Sequence, residues 1–335
     1  MWYNIPMKCV VKKTEPKTLA RAKQLIAAGE LVAFPTETVY GLGASAFSER
    51  AIEKIYEVKG RPQDNPLIVH TWTPEKISEI GVVTPLAEKL AEAFMPGPIT
   101  LVLERRPAIC ARVSAGLGTV AVRVPRHPVA QSFLRAVEVP IAAPSANSST
   151  RPSPTSAAHV LHDLGEKISL IVDGGSCEVG IESTVVDATG EYPRILRPGI
   201  VTREMISKIA PVREGGVSGT APRSPGMKYK HYAPACEVKL FRHGDLARMQ
   251  NMYDARAAAR PVFLCSAESA EMLRGDRIVL GRNEREIAHA LYAALLDAER
   301  KFGLILLEAC PDTELGRSVN NRMFKTGGSR YEEDV

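Results

Sequence analysis

Two basic side chains stand close together in a segment whose turn is restricted by its neighbours, a pattern suited to binding an anion. Residues 59–70 read KGRPQDNPLIVH, in which Lys59 and Arg61 are separated by Gly60 and followed by Pro62. The glycine and the proline restrict the turn around Arg61, which favours a positioned clamp for a phosphate. A solvated basic turn is the alternative, because cations also complement the dipole at the C-terminal end of a helix.

Two further titratable side chains belong to apolar strands. Residues 119–126 read TVAVRVPR, and strand alternation places Arg123 on the face opposite Val122 and Val124. A buried arginine is costly unless it meets an anion, so Arg123 is a candidate partner for a substrate carboxylate; an edge strand that faces water is the alternative. His70 ends its own predicted strand and can either donate to a carboxylate or be a satisfied core histidine.

Three polar segments follow or open predicted strands and carry hydroxyl or amide groups. Residues 35–43 (PTETVYGLG) would present hydroxyls at the carboxyl end of a strand, where α/β proteins usually bind ligands. A strand-to-helix turn with hydroxyl caps explains the same pattern. Residues 143–155 (APSANSSTRPSPT) and 180–199 (with GIESTVVD and RILRPG) have compositions common in loops and strands. The candidate binding residues are Thr36, Thr38, Tyr40, Ser145, Asn147, Ser148, Ser149, Thr150, Ser153, Ser183, Thr184 and Arg197.

Several common catalytic signatures are missing from the sequence. It contains no GxxxxGK[ST], no GxGxxG after a strand and no HExxH. His159 and His162 have no further metal ligands nearby in sequence, so no metal site is expected there. SAN at 145–147 and KTG at 325–327 spell two motifs of penicillin-recognising serine enzymes, but no serine has a lysine three residues later, which that chemistry requires.

The elements that must position these residues alternate between helix and strand, which predicts an α/β domain around a sizeable sheet. Apolar periodicity predicts helices at 17–28, 49–58, 85–94 and 155–164. Short apolar or alternating segments predict strands at 30–34, 66–70, 99–104, 119–124, 139–143 and 168–173.

A second, smaller α/β unit is predicted near the C-terminus. Strands at 236–241, 261–265 and 303–308 alternate with helices at 245–259 and 284–300, which indicates a three-layer parallel sheet. Residues 211–235, rich in Gly, Pro and Ser, are the best linker candidate, either as a passive tether or with a functional role. We therefore divide the chain into 1–210, 211–235 and 236–335.

Composition limits the class of protein. The 335 residues are 45% hydrophobic and 24% charged, which excludes disorder and fibrous classes. A formal charge of +5 is small for this length and does not favour binding a long nucleic acid. Six scattered cysteines without a CxxC pair indicate reduced thiols, and no apolar run is long enough to span a membrane. We expect a soluble protein of the cytoplasm.

Taken in order, the motifs resemble the YrdC-like family over residues 17–210. They are PTETVYGLG, KGRP..NPL.VH, PGPITLVL, VAVRVP, APSAN...PSPT and STVVD...ILRPG. KGR at 59–61 with SAN at 145–147 matches the KxR/SxN signature of that family. SPGMKYKHYAP at 224–234 and LGRSVNNRMFK at 315–325 resemble its longer two-domain form, the threonylcarbamoyl-AMP synthases.

The resemblance implies both a fold and an activity. The fold would be a twisted mixed α/β sheet with a large cavity, followed by a small Rossmann-like α/β/α domain. The activity would be that of a nucleotidyltransferase that forms L-threonylcarbamoyladenylate and pyrophosphate from L-threonine, bicarbonate and ATP, with Mg²⁺ accompanying ATP. The product would pass to the tRNA threonylcarbamoyl transferase machinery for N6-threonylcarbamoyladenosine at position 37, with weak or no direct tRNA binding and no membrane partner.

The resemblance also implies roles for individual residues. Lys59 and Arg61 would be the catalytic cations, and a linker folded over the cavity would protect a labile carbamate. Tyr232 of the linker would close over the nucleotide, with Tyr229 as the alternative. The threonine ligands would be Thr38, His70, Arg123 and Ser183. The ATP ligands would be Arg61, Asn65, Thr119, Ala143, Ser145, Asn147, Ser153, Arg197 and Tyr232.

Three departures and two other interpretations remain. Thr150 stands where many relatives have glycine, the tail TGGSRYEEDV lacks the usual apolar ending, and Met7 is an alternative start to Met1. Hydrogenase maturation factors also contain a YrdC-like module, but they need an acylphosphatase segment and cysteine-rich zinc fingers, and this chain has neither. A non-catalytic RNA-binding module is the interpretation from a different class of protein.

Overall fold

The computed structural model describes residues 9–213, 232–327 and 331–332. Within this part of the chain the helices are α1 (Pro16–Ala27), α2 (Glu49–Lys59), α3 (Pro85–Phe94), α4 (Pro128–Val137), α5 (Ala157–Leu164), α6 (Arg203–Ser207), α7 (Leu246–Ala255), α8 (Ala267–Met272), α9 (Glu284–Ala298) and α10 (Glu314–Thr326). Short 3₁₀ turns lie at Pro74–Glu79, Ala111–Ser114 and Ala257–Ala259.

The strands of the first sheet are β1 (Val10–Lys13), β2 (Val32–Phe34), β3 (Gly41–Ser45), β4 (Ile68–His70), β5 (Gly81–Val82), β6 (Ile99–Arg105), β7 (Thr119–Arg123), β8 (Ile141–Ala142), β9 (Leu170–Asp173), β10 (Thr184–Asp187) and β11 (Arg194–Arg197). Their order across the sheet is β1-β9-β2-β3-β8-β4-β7-β6-β10-β11, with β5 paired to β6. Parallel and antiparallel pairs alternate irregularly, so the sheet is mixed as expected.

Helix α2 shows how local sequence positions a site residue. Ser48 caps its N-terminus by accepting a hydrogen bond from the amide of Ala51, and Gly60 ends it in the left-handed region at φ 59°. Its apolar stripe, which includes Ile52 and Ile55, is buried in the core. Lys59 therefore lies in the last turn of a firmly packed helix, with the KGR turn directly after it.

Strand β7 lies inside the sheet, between β4 and β6, so the alternative of a water-facing edge strand for Arg123 is excluded. The parallel register of β4 and β7 sets His70 beside Arg123. Both side chains are buried. Two residues from different segments are thereby brought to the same end of neighbouring strands.

Residues 41–45 form strand β3, antiparallel to β2, and this corrects the interpretation of PTETVYGLG as a strand-to-helix turn. The strand lies between β2 and β8, and a Cβ at Gly43 would lie 2.8 Å from Ile141 Cγ2. Glycine is required there because the neighbouring side chain occupies the space. Only the short turn between Phe34 and Gly41 remains to present polar groups.

The C-terminal unit is a three-layer domain, as predicted. Its strands are β12 (Glu237–Phe241), β13 (Pro261–Ser266), β14 (Arg277–Gly281) and β15 (Leu304–Glu308), all parallel in the order β12-β15-β13-β14. Helices α7 and α8 cover one face, and α9 and α10 cover the other. Strand β14 and helices α8 and α10 were not predicted. Tyr331 of the unusual tail packs on Phe324 of α10.

The two units share a buried interface. Val39, Val179 and Ile181 of the first unit belong to the same apolar cluster as the inner faces of α9 and α10. No helix in the described ranges is long and apolar enough to cross a bilayer. The predicted boundaries at 210 and 235 stay a prediction, and most of the proposed linker, 214–231, lies outside the described residues.

Candidate active site

One cavity of about 320 Å³ collects twelve of the fourteen residues that the resemblance assigns as catalytic cations or as ligands of threonine or ATP. It lies where the turn after β2, the turn after α2, the ends of β4 and β7, and the segments after β8 and before β10 converge. These twelve are Thr38, Lys59, Arg61, Asn65, His70, Arg123, Ala143, Ser145, Asn147, Ser183, Arg197 and Tyr232, and the further candidates Thr36, Ser149 and Thr150 also line the cavity.

Lys59 ties the KGR turn to the SAN loop. Its side chain is 3% exposed, and its ammonium donates to the carbonyl of Ser145 at 2.6 Å and to that of Asn147. Burial, followed by the neighbouring charge of Arg61, holds the pKa of Lys59 well below its usual value. The lysine thus links two segments that are more than eighty residues apart in sequence.

Arg61 is held by the turn that follows it. Its Nε donates to the carbonyl of Asn65 at 3.1 Å, and its Nη2 donates to that of Pro66 at 2.9 Å. Burial lowers the pKa of Arg61 to about 10, so the side chain remains a cation at neutral pH. The guanidinium plane is therefore fixed in the cavity wall, as a phosphate clamp requires.

Arg123 begins a chain of hydrogen bonds that continues through Thr38 and Thr36 in the cavity wall. Its Nη1 donates to the hydroxyl of Thr38 at 2.8 Å, and its Nη2 lies 2.7 Å from Glu37 Oε1. The Thr36 hydroxyl donates to the carbonyl of Val39, so the contact between the Thr36 and Thr38 hydroxyls is donated by Thr38. The direction of every proton in this chain is consequently fixed.

His70 is neutral in the fold. Its Nδ1 donates to the carbonyl of Ile68 at 3.1 Å, and burial together with the charge of Arg123 lowers its pKa to about 3. The tautomer with hydrogen on Nδ1 leaves Nε2 as an acceptor. His70 therefore offers a neutral ring whose Nδ1 hydrogen is already used by Ile68, and its predicted donation to a carboxylate stays a prediction.

Ser183 and Arg197 form a pair beside these groups. Arg197 donates to the carbonyl of Ser183 from Nε at 3.1 Å and to its hydroxyl from Nη2 at 3.2 Å. The Ser183 hydroxyl also lies 2.8 Å from that of Thr100. Burial lowers the pKa of Arg197. Four basic residues (Lys59, Arg61, Arg123 and Arg197) thus line one cavity, which suits a ligand with several negative groups.

Tyr232 lines the cavity and contacts the C-terminal domain. Its ring lies 5.1 Å from that of Tyr292, and its carbonyl accepts from the hydroxyl of Thr326 at 3.1 Å. Its φ of 66° is in the left-handed region, so the backbone turns sharply there. The alternative residue, Tyr229, lies outside the described residues.

Five predicted residues are not part of the lining: Tyr40, Thr119, Ser148, Ser153 and Thr184. The hydroxyls of Ser148 and Thr184 donate to Asp163 and to the carbonyl of Val201. Thr119 opens β7 and is half-buried away from the cavity. The Ser153 hydroxyl donates to Glu182 at 2.7 Å, and the Tyr40 hydroxyl donates to the carbonyl of Gly175 at 2.8 Å. The presentation of Tyr40 at the strand end is therefore wrong, whereas the ATP roles of Thr119 and Ser153 stay predictions.

Sequence reasoning missed three charged residues of this region: Glu37, Glu182 and Arg322. Glu182 lines the cavity and is ion-paired to Arg322 of α10 at 3.1 Å. The sequence of α10 does contain a signal for Arg322. This arginine shares one face of the helix with Val319, Met323 and Thr326, and a charged residue on a face otherwise suited to burial indicates a buried partner.

Family models cover the chain almost from end to end. The Sua5/YciO/YrdC model, described as "Telomere recombination", matches residues 24–199, and the model "Threonylcarbamoyl-AMP synthase, C-terminal domain" matches 201–328. The threonylcarbamoyl-AMP synthase of Bacillus subtilis is 43% identical over 95% of each chain. That of Schizosaccharomyces pombe is 36% identical over 90% of this chain and 86% of its own.

A solved structure also matches over both domains. The crystal structure of P. abyssi Sua5 complexed with L-threonine has a TM-score of 0.88 and 40% identity, covering 96% of this chain and 97% of that one. The large mixed sheet with a smaller parallel-sheet domain is therefore the fold of that protein. The similarity covers both domains of the chain.

Proposed function

Because the chain belongs to the two-domain threonylcarbamoyl-AMP synthases of the YrdC-like family, we propose that it joins L-threonine, bicarbonate and ATP to give threonylcarbamoyl-AMP and pyrophosphate. It forms threonylcarbamoyl-AMP, and L-threonine and ATP are its substrates. One observation carries this conclusion: the similarity to synthases of that name spans nearly the whole of both chains.

The end of the cavity around Arg123 is the proposed threonine site. The Arg123 guanidinium would bind the amino-acid carboxylate, since its position is maintained by Thr38 and Glu37. The Ser183 hydroxyl and the neutral His70 ring would contact the amine and the side chain. A neutral histidine beside Arg123 adds no second cation that would repel the amine of threonine.

The end around Arg61 and Arg197 is the proposed nucleotide site, with Ala143 and Ser145 in its wall. Among the described residues, Asn65 Oδ1 and Asn147 Oδ1 are buried and have no hydrogen-bond partner. Buried acceptors without partners are costly, so we assign them to donors of the ligand such as an exocyclic amine or ribose hydroxyls. Lys59 supports this end by holding the SAN loop.

The positions of the cations at both ends of the cavity suit the proposed reaction. The threonine nitrogen would bond to the bicarbonate carbon with loss of water, and an oxygen of the resulting carbamate would attack the α-phosphorus. The bond from α-phosphorus to the bridging oxygen would break, and pyrophosphate would leave. Carbamate, carboxylate and triphosphate repel one another, so cations at both ends of one cavity lower the barrier by holding them together.

Three finer points belong to the proposal. Mg²⁺ would enter bound to the ATP phosphates, since Glu182, the carboxylate of the described lining, already accepts bonds from Ser153, Tyr292 and Arg322. Tyr232 would limit water access to the carbamate. The product would be passed in the cytoplasm to the machinery that modifies tRNA, without stable binding of tRNA or of a membrane.

The test is recovery of labelled carbon from bicarbonate in an adenylate. Purified protein is incubated with ATP, Mg²⁺, L-threonine and labelled bicarbonate, and nucleotides are separated by chromatography. We expect the label in a species that also contains threonine and AMP. Label that remains in bicarbonate while ATP is cleaved would contradict the proposal, as would label in an adenylate that lacks threonine.

A further inference from the structure

A carboxylate lies in the wall of a cavity that must accept a triphosphate. Glu182 immediately precedes Ser183 and lines the cavity together with Arg197. It is 7% exposed, and its Oε1 accepts from the Ser153 hydroxyl at 2.7 Å. Without compensation, a buried negative charge at this position would repel phosphates and compete with them for Arg197.

The compensation comes from the C-terminal domain. Arg322 of α10 has no exposed surface, and its Nε donates to Glu182 Oε2 at 3.1 Å. The same guanidinium donates from Nη2 to the Glu182 carbonyl at 3.2 Å and from Nη1 to the carbonyl of Pro198. Arg322 therefore holds both segments that supply the Ser183–Arg197 pair, one on each side.

Tyr292 of α9 completes the arrangement. Its hydroxyl lies 3.1 and 3.0 Å from the two carboxylate oxygens of Glu182, and its ring contacts that of Tyr232. The contacts of Glu182 with the C-terminal domain thus come from two helices. They give this domain a direct physical route to the nucleotide end of the cavity.

We propose that Arg322 is a positioning residue for the nucleotide: by pairing with Glu182, it limits the repulsion between that buried carboxylate and the bound phosphates. This inference rests on the proposed nucleotide site. It assigns to the C-terminal domain a role in ATP affinity that is separate from any role in closing the cavity. Removal of Arg322 would leave the Glu182 carboxylate without this ion-pair partner.

The decisive experiment measures Mg-ATP binding by calorimetry, without threonine, in charge-matched variants. Arg322→Met should weaken ATP binding by about tenfold or more, since an unpaired buried carboxylate is left beside the phosphates. The double variant E182Q/R322M should return to within about threefold of the parent protein, because the charge is balanced again. A double variant that stays as weak as Arg322→Met would overturn the proposal.

If Arg322→Met does not fold, two further variants still test the proposal. Glu182→Gln removes the negative charge and should leave ATP binding unchanged or tighter, even if the free energy of unfolding falls. Weaker ATP binding in this variant would contradict the proposal. Arg317→Met, on the solvent side of the same helix and paired with Asp312, is the matched control and should bind ATP like the parent protein.

The pH dependence of ATP binding distinguishes an effect of the Glu182 charge from structural damage in Arg322→Met. Burial alone would raise the pKa of Glu182, but Arg322, Arg197 and the Ser153 hydroxyl lower it to about 2. The parent carboxylate therefore stays ionised at all working pH values. In Arg322→Met the pKa of Glu182 rises, so the carboxylate gains a proton as the pH falls. The charged and titratable groups that face it are Arg197, Tyr232, Tyr292, Arg322 and Lys325.

The expected readout is the ratio of variant to parent dissociation constants for ATP. This ratio should shrink as the pH is lowered from about 7 to about 5.5, because protonation of Glu182 relieves the repulsion. Lys325, whose pKa is lowered to about 8 by burial and the two arginines, remains charged over that range. A constant ratio would overturn the proposal.

The outcome can be told apart from failure of the proposed function. ATP binding is measured here without turnover, whereas the function is tested by labelled carbon in the product. A correct pattern of ATP affinities without formation of the adenylate would leave the inference standing and remove the function. Adenylate formation with unaltered ATP affinity in Arg322→Met would support the function and overturn the inference about Arg322.

Discussion

At the scale of single residues, the cations of the cavity have partners in the protein before any substrate is bound. Arg61 donates to two carbonyls of its own turn, and Arg123 donates to Thr38 and to the carbonyl of Gly97. Lys59 is held by the SAN loop. Preorganised charge costs little reorganisation when the reaction develops new charge, so this arrangement favours catalysis by positioning.

The two ends of the cavity should respond separately to mutation. Arg123→Ala should weaken threonine binding by about 100-fold and leave ATP binding within about twofold, because it removes the partner of the threonine carboxylate and no proposed nucleotide contact. Arg61→Ala should do the opposite, and both variants should lose turnover. Calorimetric titration of each variant with each substrate measures the split.

An exposed arginine supplies the control for this pair. Arg135→Ala, in the last turn of α4 and facing solvent, should bind both substrates like the parent protein. Thermal unfolding of all three variants checks that the fold is retained. Equal losses of threonine and ATP affinity in Arg123→Ala would contradict the separation of the two ends.

The neutral state of His70 gives a pH dependence of stability. The folded pKa is about 3, below the ordinary value of 6.5, so the unfolded chain binds the proton first as the pH falls. The contribution of His70 to the free energy of unfolding is therefore fully present above pH 6.5 and is lost as the pH falls toward 3. Between these pH values the loss is up to about 1.4 kcal/mol per pH unit.

A neutral substitute isolates that contribution. Urea denaturation of the parent protein and of His70→Gln at pH values of about 7 and 5 gives two changes in the free energy of unfolding. The parent protein should lose about 2 kcal/mol more than the variant between these pH values. Identical losses would show that His70 does not carry the predicted acid sensitivity.

At the scale of elements, periodicity was enough to predict most helices and strands around the cavity. Helix Pro85–Phe94 has the predicted bounds, and α2 differs from its prediction by one residue. Strand β3 was missed because Gly41 and Gly43 have low strand propensity, and this segment becomes a strand through pairing with β2 and β8. This strand forms because of tertiary pairing, and a local sequence pattern contains no information on that pairing.

One loop at the cavity contains a strained backbone position. Thr150 has a φ of 75° in the left-handed region. A β-branched residue is strained there by about 1–2 kcal/mol, and glycine is not. The carbonyl of Thr150 accepts from the amide of Ala233, so the strained loop also receives the chain that leads into the C-terminal domain.

Thr150→Gly should therefore stabilise the protein. Relief of the left-handed strain exceeds the added entropy of the unfolded chain, for a net gain of about 0.5–1 kcal/mol in the free energy of unfolding. Urea denaturation measures this gain. Ser149→Gly is the matched control, because Ser149 does not have a positive φ and should only lose stability. A loss in Thr150→Gly as large as that in the control would contradict the strain.

At the scale of the whole molecule, the two domains are joined by charge as well as by apolar contacts. Glu182 and Arg322 are 140 residues apart in sequence and meet in a buried ion pair. Neither was predicted from the sequence, since each motif is unremarkable without its distant partner. The alternation of helices and strands on both sides of 211–235 predicted two domains, but it contained no information on which faces meet.

Such an interface predicts that the domains unfold together. Scanning calorimetry should show one transition whose calorimetric and van't Hoff enthalpies agree, because separation would expose Val179 and Ile181 and leave Glu182 without its partner. Arg322→Met should lower the temperature of that single transition. Two resolved transitions in the parent protein would contradict the coupling.

The most direct test of the whole account is pyrophosphate release from ATP and Mg²⁺, with L-threonine and bicarbonate each present or omitted. We expect release that requires both, because the attacking oxygen belongs to a carbamate made from the two. Release that continues at an unchanged rate without threonine would contradict it, since the cavity would then activate ATP for a different acceptor.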